Sequence, residues 1–433
     1  MKFTQLGISA PILKALEAAS YTNPTPIQQG AIPSALEGKD ILGLAQTGTG
    51  KTAAFAIPTL QRLSNQDKQS SKRVIQSLIL TPTRELAIQI QDSFKVYGRF
   101  LPLKSTVVFG GVGQGNQVRA LKAGVDILIA TPGRLMDLVQ QRHINLSAVK
   151  IFTLDEADRM LDMGFINDVK KIIKMLPVKK QTMLFSATMP KEINTITNQL
   201  LVNPVNVSIT PVSSAVETVG QQVVFVDNNH KMDVLHNFIE ENTNESMLVF
   251  TKTKHGADKV VKELNRRNVS AKAIHGNKSQ NIRQKTLNEF KTYQTQVLVA
   301  TDIASRGIDI HELNFVVNYD LPDVPETYVH RIGRTGRAGN TGIALSLCNF
   351  QDKSLLSDIE KLIKKKVEVM DNEQYPLTDF TPKPKQRPAR SRKVKVTNDK
   401  KKNTSPATKR TKDAPKKSKK SRRRTLGQDR PRS

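Results

Sequence analysis

The sequence predicts an α/β protein of two tandem domains, each a mainly parallel sheet flanked by helices, followed by a basic C-terminal tail expected to be disordered. Three observations carry this. Short apolar runs alternate with helical patterns along most of the chain. The alternation comes in two series separated by a polar stretch. Past residue 380 the composition shifts to Lys, Arg, Pro, Ser and Thr. At 433 residues the chain is also longer than one ordinary core accommodates.

The first series is DILGLA (40–45), VIQSLIL (74–80), VDILIA (125–130), KIFTL (150–154) and QTMLF (181–185). The second is MLVF (247–250), SAKAI (270–274), QVLVA (296–300), NFVVNY (314–319) and GIALSL (342–347). Runs this short, rich in Val, Ile and Leu and spaced by helices, read as strands buried on both faces in βαβ units. ITPVSSAVETV (209–219), with its Pro and small polar residues, reads as a linker. The expected boundaries are 1–208, a linker at 209–218, 219–375, and a tail at 376–433. The tail holds too little apolar surface to offset the entropy of ordering it.

Composition narrows the function. No apolar run approaches 18 residues, so no membrane span is expected. The start, MKFTQLGISAPILKALEAAS, lacks the charged, apolar and small-residue sections of a signal peptide. The single cysteine, Cys348, excludes an internal disulfide and a cysteine-based metal site, and a reducing cytoplasm is the expected location. Of the net charge of +28, residues 381–433 carry +19, from 22 Lys+Arg and 3 Asp+Glu; the rest of the chain carries +9. Such a tail points to a polyanion, nucleic acid above all.

Two segments carry chemistry. AQTGTGKT (45–52) follows the first apolar run and opens an apolar helical pattern, the strand, glycine loop and helix order of a phosphate loop. Across Ala45, Gln46, Thr47, Gly48, Thr49 and Gly50, backbone N–H groups would cradle phosphate at a helix N-terminus. Lys51 would reach the β- and γ-phosphates and Thr52 would offer its hydroxyl to Mg²⁺. Ala45 stands where the usual pattern has Gly. The run KIFTL ends in Asp155 and Glu156, the first placed to hold Mg²⁺, the second to orient and deprotonate an attacking water.

These segments, with DEAD at 155–158, SAT at 186–188 and HRIGRTGR at 330–337, resemble the DEAD-box ATP-dependent RNA helicases, and the resemblance covers about residues 3–375. YTNPTPIQ (21–28) is similar to the family's Q motif (1–29 here), with Phe3 as its upstream aromatic; Ser20 stands where the family usually has Gly. PTRELA (82–87), Gly110-Gly111, TPGR (131–134), VFTKTK (249–254), HG (275–276) and ATDIASRGIDI (300–310) match in order. The start, AQTGTGKTAAF and the tail look most like the bacterial RhlE-type subgroup.

The resemblance implies two RecA-like domains and an RNA-dependent ATPase using ATP and Mg²⁺, which unwinds short RNA duplexes locally and remodels RNA–protein complexes. It implies that Gln28 reads adenine while Tyr21 packs on the base, that Ser186 and Thr188 couple hydrolysis to strand separation, and that Asp309 holds the ribose. Arg334 and Arg337 would approach the γ-phosphate, and His330 and Arg331 would link that event to RNA and the interdomain contact. RNA contacts are expected at Pro82, Thr83, Arg84, Gly111, Thr131, Gly133 and Arg134 in the first domain, and at Thr251, Gly276, Thr301 and Arg306 in the second. These suit a sugar–phosphate backbone, so structured or duplex RNA of low sequence specificity is the expected partner. Aromatics are 5% and Trp is absent, which leaves no stacking platform. Ribosomal precursors and the RNA-decay machinery are candidate further partners. The alternatives are a superfamily-2 DNA helicase and an RNA annealing or binding protein.

Overall fold

The computed structural model describes residues 1–46, 48–65, 73–209, 219–305, 313–336 and 342–381. Thr47, Arg306, Asp309 and Arg337, nearly all of the expected linker and the tail from 382 lie outside the described residues.

Two seven-stranded parallel sheets make the frame. The first contains β1 (Ile41–Leu44), β2 (Ser77–Leu80), β3 (Ser105–Val108), β4 (Ile127–Ala130), β5 (Ile151–Asp155), β6 (Gln181–Ser186) and β7 (Val205–Ser208), in the order β3-β4-β2-β5-β6-β1-β7. The second contains β8 (Val219–Phe225), β9 (Met247–Phe250), β10 (Ala271–Ile274), β11 (Val297–Ala300), β12 (Phe315–Asn318), β13 (Gly342–Cys348) and β14 (Glu368–Val369), in the order β10-β11-β9-β12-β13-β8-β14. Each strand of the first sheet has a counterpart at the same place in the second: β1 answers to β8, β5 to β12. The domains are two copies of one plan.

Strand side chains alternate between the faces of each sheet. Ile79, Ile127, Ile129 and Ile151 enter one core with the helices Pro26–Leu36, Lys51–Ser64 and Arg84–Tyr97. Leu78, Leu80, Leu128, Phe152 and Leu154 enter the other with Pro132–Gln140, Ile166–Met175 and Lys191–Leu200. Each such fully buried side chain is worth roughly 1.5–3 kcal/mol. Phe3 is buried in the first of these cores.

Every apolar run named above forms a strand, but β3, β7, β8 and β14 are additional. The reason is position. β3, β7 and β14 are the edges of their sheets, and β3 and β7 alternate or lack burial instead of reading as continuous apolar runs. β8 carries Gln221 and Gln222 at its middle, and the buried Gln221 accepts a hydrogen bond from the Tyr328 hydroxyl at 3.0 Å.

Candidate nucleotide site and nucleic-acid interface

The register brings the carboxyl ends of β1, β6 and β5 level: Leu44 lies beside Ser186, and Phe185 beside Asp155. The 45–52 loop, DEAD and SAT therefore emerge side by side. Gly48 and Gly50 have φ of 88° and 95°, which only glycine adopts without strain. Gly50 caps the helix Lys51–Ser64, and a Cβ there would collide with the Gln28 amide and the Thr25 hydroxyl. Lys51 is buried, its Nζ donating to the Ala45 carbonyl at 2.9 Å, and Thr49 Oγ1 donates to the Gln46 carbonyl at 2.7 Å. Thr52 is half-buried in the first turn of the same helix.

Gln28 has work besides any base. Its Oε1 accepts from the Thr25 N–H at 2.9 Å and its Nε2 donates to the Gly50 carbonyl at 3.1 Å. One donor hydrogen and one acceptor lone pair of the amide remain for a ligand. Tyr21 is 42% exposed, edge-on to Tyr97 with ring centroids 5.6 Å apart and the two hydroxyls 3.2 Å apart.

At the end of β5 the acids divide their tasks. Asp155 is buried, and its Oδ1 has no hydrogen-bond partner. Burial pushes its carboxyl up, Lys51 opposes this and Glu156 adds to it, and the value reaches about 7. A buried carboxylate oxygen of this kind, near the loop that ends in Thr52, fits a hard divalent cation with its waters. Glu156 sits at φ 56°, ψ 52°, a left-handed conformation that costs on the order of 1–3 kcal/mol for a non-glycine residue. Its carboxylate pairs with the buried Arg159 at 2.8 Å.

Asp158, the last residue of DEAD, takes a role that the sequence pattern does not signal. Its Oδ2 accepts from Ala187 N at 3.1 Å, Thr188 N at 2.8 Å and Thr188 Oγ1 at 3.0 Å, while its own N–H donates to Ser186 Oγ at 3.2 Å. Ser186 Oγ in turn donates to the Thr188 carbonyl at 2.7 Å. Burial would raise the Asp158 carboxyl, but Lys51, Arg159 and the Thr188 hydrogen bonds outweigh it and hold it below the ordinary range. SAT is thus tied to DEAD through one carboxylate.

The expected RNA contacts occupy the other half of each sheet. Pro82, Thr83 and Arg84 follow β2, Gly111 follows β3, and Thr131, Gly133 and Arg134 follow β4, three neighbouring strands. Thr251, Gly276 and Thr301 follow β9, β10 and β11, the counterpart strands of the second sheet. Gly133 and Gly276 are exposed with open space where a Cβ would stand, which leaves room for a close-approaching chain. The Arg84 guanidinium packs against Gly111, and Arg134 donates to the Val112 carbonyl at 3.0 Å. Hydroxyls are partly committed: Thr83 Oγ1 accepts from Leu86 N at 3.3 Å, and the buried Thr251 donates to the Thr253 carbonyl at 3.2 Å.

Arg331 departs from expectation. It is 2% exposed, and its guanidinium is committed within its own domain. Its Nε and Nη2 clasp Asp302 at 2.6 and 2.8 Å, and its Nη1 donates to Asn318 Oδ1 at 3.1 Å and the Asp320 carbonyl at 2.6 Å. A guanidinium this dry must be fully paired, and Asp302 and Asp320 stand close by to pair it. Arg334 is also buried. A contact that crosses the domains, for which the sequence carries no signal, joins Glu85, within PTRELA, to Gln280 and Arg283. Burial of a Gln, an Arg and a Glu on surfaces far apart in sequence is not visible without the fold.

Two family models match the chain: DEAD/DEAH box helicase over residues 25–196, and helicase conserved C-terminal domain over 230–339. The ATP-dependent RNA helicase CshA of Limosilactobacillus reuteri is 42% identical over 364 residues, 84% of this chain and 72% of that protein. The DEAD-box ATP-dependent RNA helicase CshA of Bacillus subtilis is 40% identical over 368 residues, 85% of this chain and 74% of that one. Among solved structures, S. cerevisiae Dbp5 bound to RNA and ADP BeF3 superposes with a TM-score of 0.74 at 30% identity, covering 85% of this chain and 95% of that one.

Proposed function

The chain belongs to the DEAD-box RNA helicase family, and we propose that it is an ATP-dependent RNA helicase in which RNA binding and domain closure switch on ATP hydrolysis. Lys51 and the N–H groups of 48–52 bind the phosphates, Gln28 and Tyr21 the adenine. Thr52 and Asp155 would hold Mg²⁺, which would supply charge neutralisation at the phosphates. Glu156, fixed by Arg159, orients the attacking water and takes its proton. Arg334 and Arg337, with Asp309 on the ribose, complete the site from the second domain; an arginine supplied this way is worth about 10³–10⁵ in rate. Asp158 passes the state of the nucleotide to Ser186 and Thr188.

The backbone-facing residues after β2, β3 and β4 and after β9, β10 and β11 form one RNA track across both domains, including Arg306. A strand bent on that track no longer fits a duplex, so short helices open locally. The domain limits follow as 1–208 and 219–375, the tail from 376 adding backbone attraction. The RhlE-type subgroup, a cytoplasmic location and action on ribosomal precursors or in RNA decay are further parts of this reading. The subgroup rests on the likeness of the first residues, AQTGTGKTAAF and the tail, the location on the single cysteine, and the further partners on the family resemblance alone; the relatives named above are CshA proteins, similar over the shared helicase core.

The single observation that carries the reading is the level emergence of the phosphate loop, DEAD and SAT, with Asp158 bridging the last two. The test is ATP turnover with single-stranded RNA, duplex RNA or DNA, together with displacement of a short RNA duplex. RNA-stimulated, DNA-insensitive turnover with displacement is expected. Turnover driven equally by DNA identifies the DNA-helicase alternative, and RNA binding without turnover the annealing alternative.

A further inference from the structure

The second sheet keeps a buried lysine beside a partly exposed acid where the first keeps its nucleotide machinery. Lys51 is the first residue of the helix after β1, and Lys231 is the first residue of the helix Lys231–Glu241 after β8, the counterpart strand. Asp155 ends β5, and Asp320 lies two residues past the end of β12, its counterpart. Lys231 is 2% exposed, with Nζ 2.9 Å from the Tyr319 carbonyl and 3.5 Å from Asp320 Oδ1.

This is not a second nucleotide site. The connection from β8 to its helix, VDNNH (226–230), has none of the glycines that let backbone N–H groups turn toward phosphate. It presents a carboxylate instead: Asp227 accepts from Thr378 N at 3.1 Å and Asp379 N at 2.9 Å. A negative group already stands where an anion would have to enter. Keeping an ammonium group dry is costly without a return. The pair therefore needs a purpose other than phosphate.

Its contacts supply one. Asp320 Oδ2 accepts from the Lys252 N–H at 3.0 Å, fixing the turn that begins at Thr251. The Asp320 carbonyl accepts from Arg331, whose guanidinium also clasps Asp302, the neighbour of Thr301, and lies 4.9 Å over the Phe250 ring. Arg331 stands in the last turn of the helix Pro325–Ile332, three residues before Arg334. Thus one partly buried network joins the two strand ends that carry Thr251 and Thr301 to the helix that precedes Arg334. Lys231 holds the Asp320 end of that network.

We propose that Lys231 and Asp320 are positioning residues that transmit RNA engagement at the ends of β9 and β11 to Arg334. This rests on the reading above, in which those strand ends meet RNA and Arg334 meets the γ-phosphate. The pair holds Arg331 and the Lys252 turn in one rigid relation, so a shift imposed by RNA at either strand end moves the arginine helix with it. Without the lysine, Asp320 is a carboxylate short of a cation, and the relation loosens.

The test uses the full chain and the variants Lys231→Met, Lys231→Arg and Asp320→Asn. ATP turnover is measured with and without RNA, with KM for RNA separated from kcat, and thermal melts report folding. Both Lys231→Met and Asp320→Asn are expected to lose roughly tenfold or more of RNA-stimulated kcat, with KM for RNA within about threefold and RNA-independent turnover unchanged. Lys231→Arg, which keeps a cation, is expected to recover most of the stimulation. RNA-stimulated kcat within about twofold of the parent in Asp320→Asn overturns the proposal, as does a loss confined to KM. If Lys231→Met does not fold, Asp320→Asn and Lys231→Arg decide by the same criteria. A parent chain that RNA does not stimulate overturns the functional reading itself, which keeps the two failures distinct.

Discussion

Glu85 of the first domain and Arg283 of the second form a buried ion pair at 3.0 Å, and Gln280 donates to the same carboxylate oxygen at 3.0 Å. Glu85 sits beside Arg84 in the segment expected to hold RNA, and the 280–291 helix begins four residues after Gly276. Domain contact and the proposed RNA track therefore share elements. Burial lowers the Arg283 pKa against the pull of Glu85, as expected of a cation taken from water.

Glu85→Ala should separate the domains in the nucleotide-free protein. Both partners regain water when the interface opens, so the loss is that of charged hydrogen bonds, on the order of 1.5–3 kcal/mol, and not of a stranded buried charge. Small-angle scattering should show a larger radius of gyration than the parent. Unchanged scattering curves would mean that other contacts hold the domains.

Asp155 gives a pH dependence of defined sign. Its carboxyl rises in the folded protein from 3.8 to about 7, so the folded state binds the proton more tightly than the unfolded state. That contribution is complete below about pH 4 and is lost as pH rises through 7. Asp155→Asn should therefore raise the Tm of the nucleotide-free protein at pH 8, with the gain vanishing toward pH 4. Each 1 kcal/mol is worth about 2–4 °C in a domain of this size. Asp158, held below the ordinary range, has the opposite sign: its contribution is present at neutral pH and is lost below about pH 4.

Arg337→Lys should abolish ATP turnover while leaving ATP and RNA affinity within a few-fold. A lysine keeps the charge but not the planar fork that spans two phosphate oxygens. Equilibrium binding and steady-state turnover check this together. Normal RNA-stimulated turnover in the mutant would remove the arginine from the reaction.

Deleting residues 381–433 removes a balance of +19. RNA binding should weaken, and the dependence of log K on log salt should flatten by about 0.7 for each phosphate that the protein no longer neutralises. An unchanged slope would show that the tail does not touch RNA.

The two α/β series, the phosphate loop and the acids after KIFTL are legible in the chain alone. Each is a local pattern: a continuous apolar run, a glycine spacing, an acid at a strand end. So is the charge of the tail, which is composition alone. The edge strands β3 and β7 escaped because strands with one exposed side lack a continuous apolar signature. Whatever depends on register and burial emerges with the folded chain. Asp158 reads as one more acid until β5 and β6 lie level and SAT closes over it. Arg331 reads as an arginine for an anion until Asp302 and Asp320 surround it. Lys231 carries no motif at all, and the sheet order alone sets it where Lys51 stands in the other domain. Pairing across 29 residues for Arg331 and Asp302, or 89 for Lys231 and Asp320, leaves no periodic trace in a chain. Burial makes such pairings obligatory, because a charge taken from water must find its partner wherever the fold has put it.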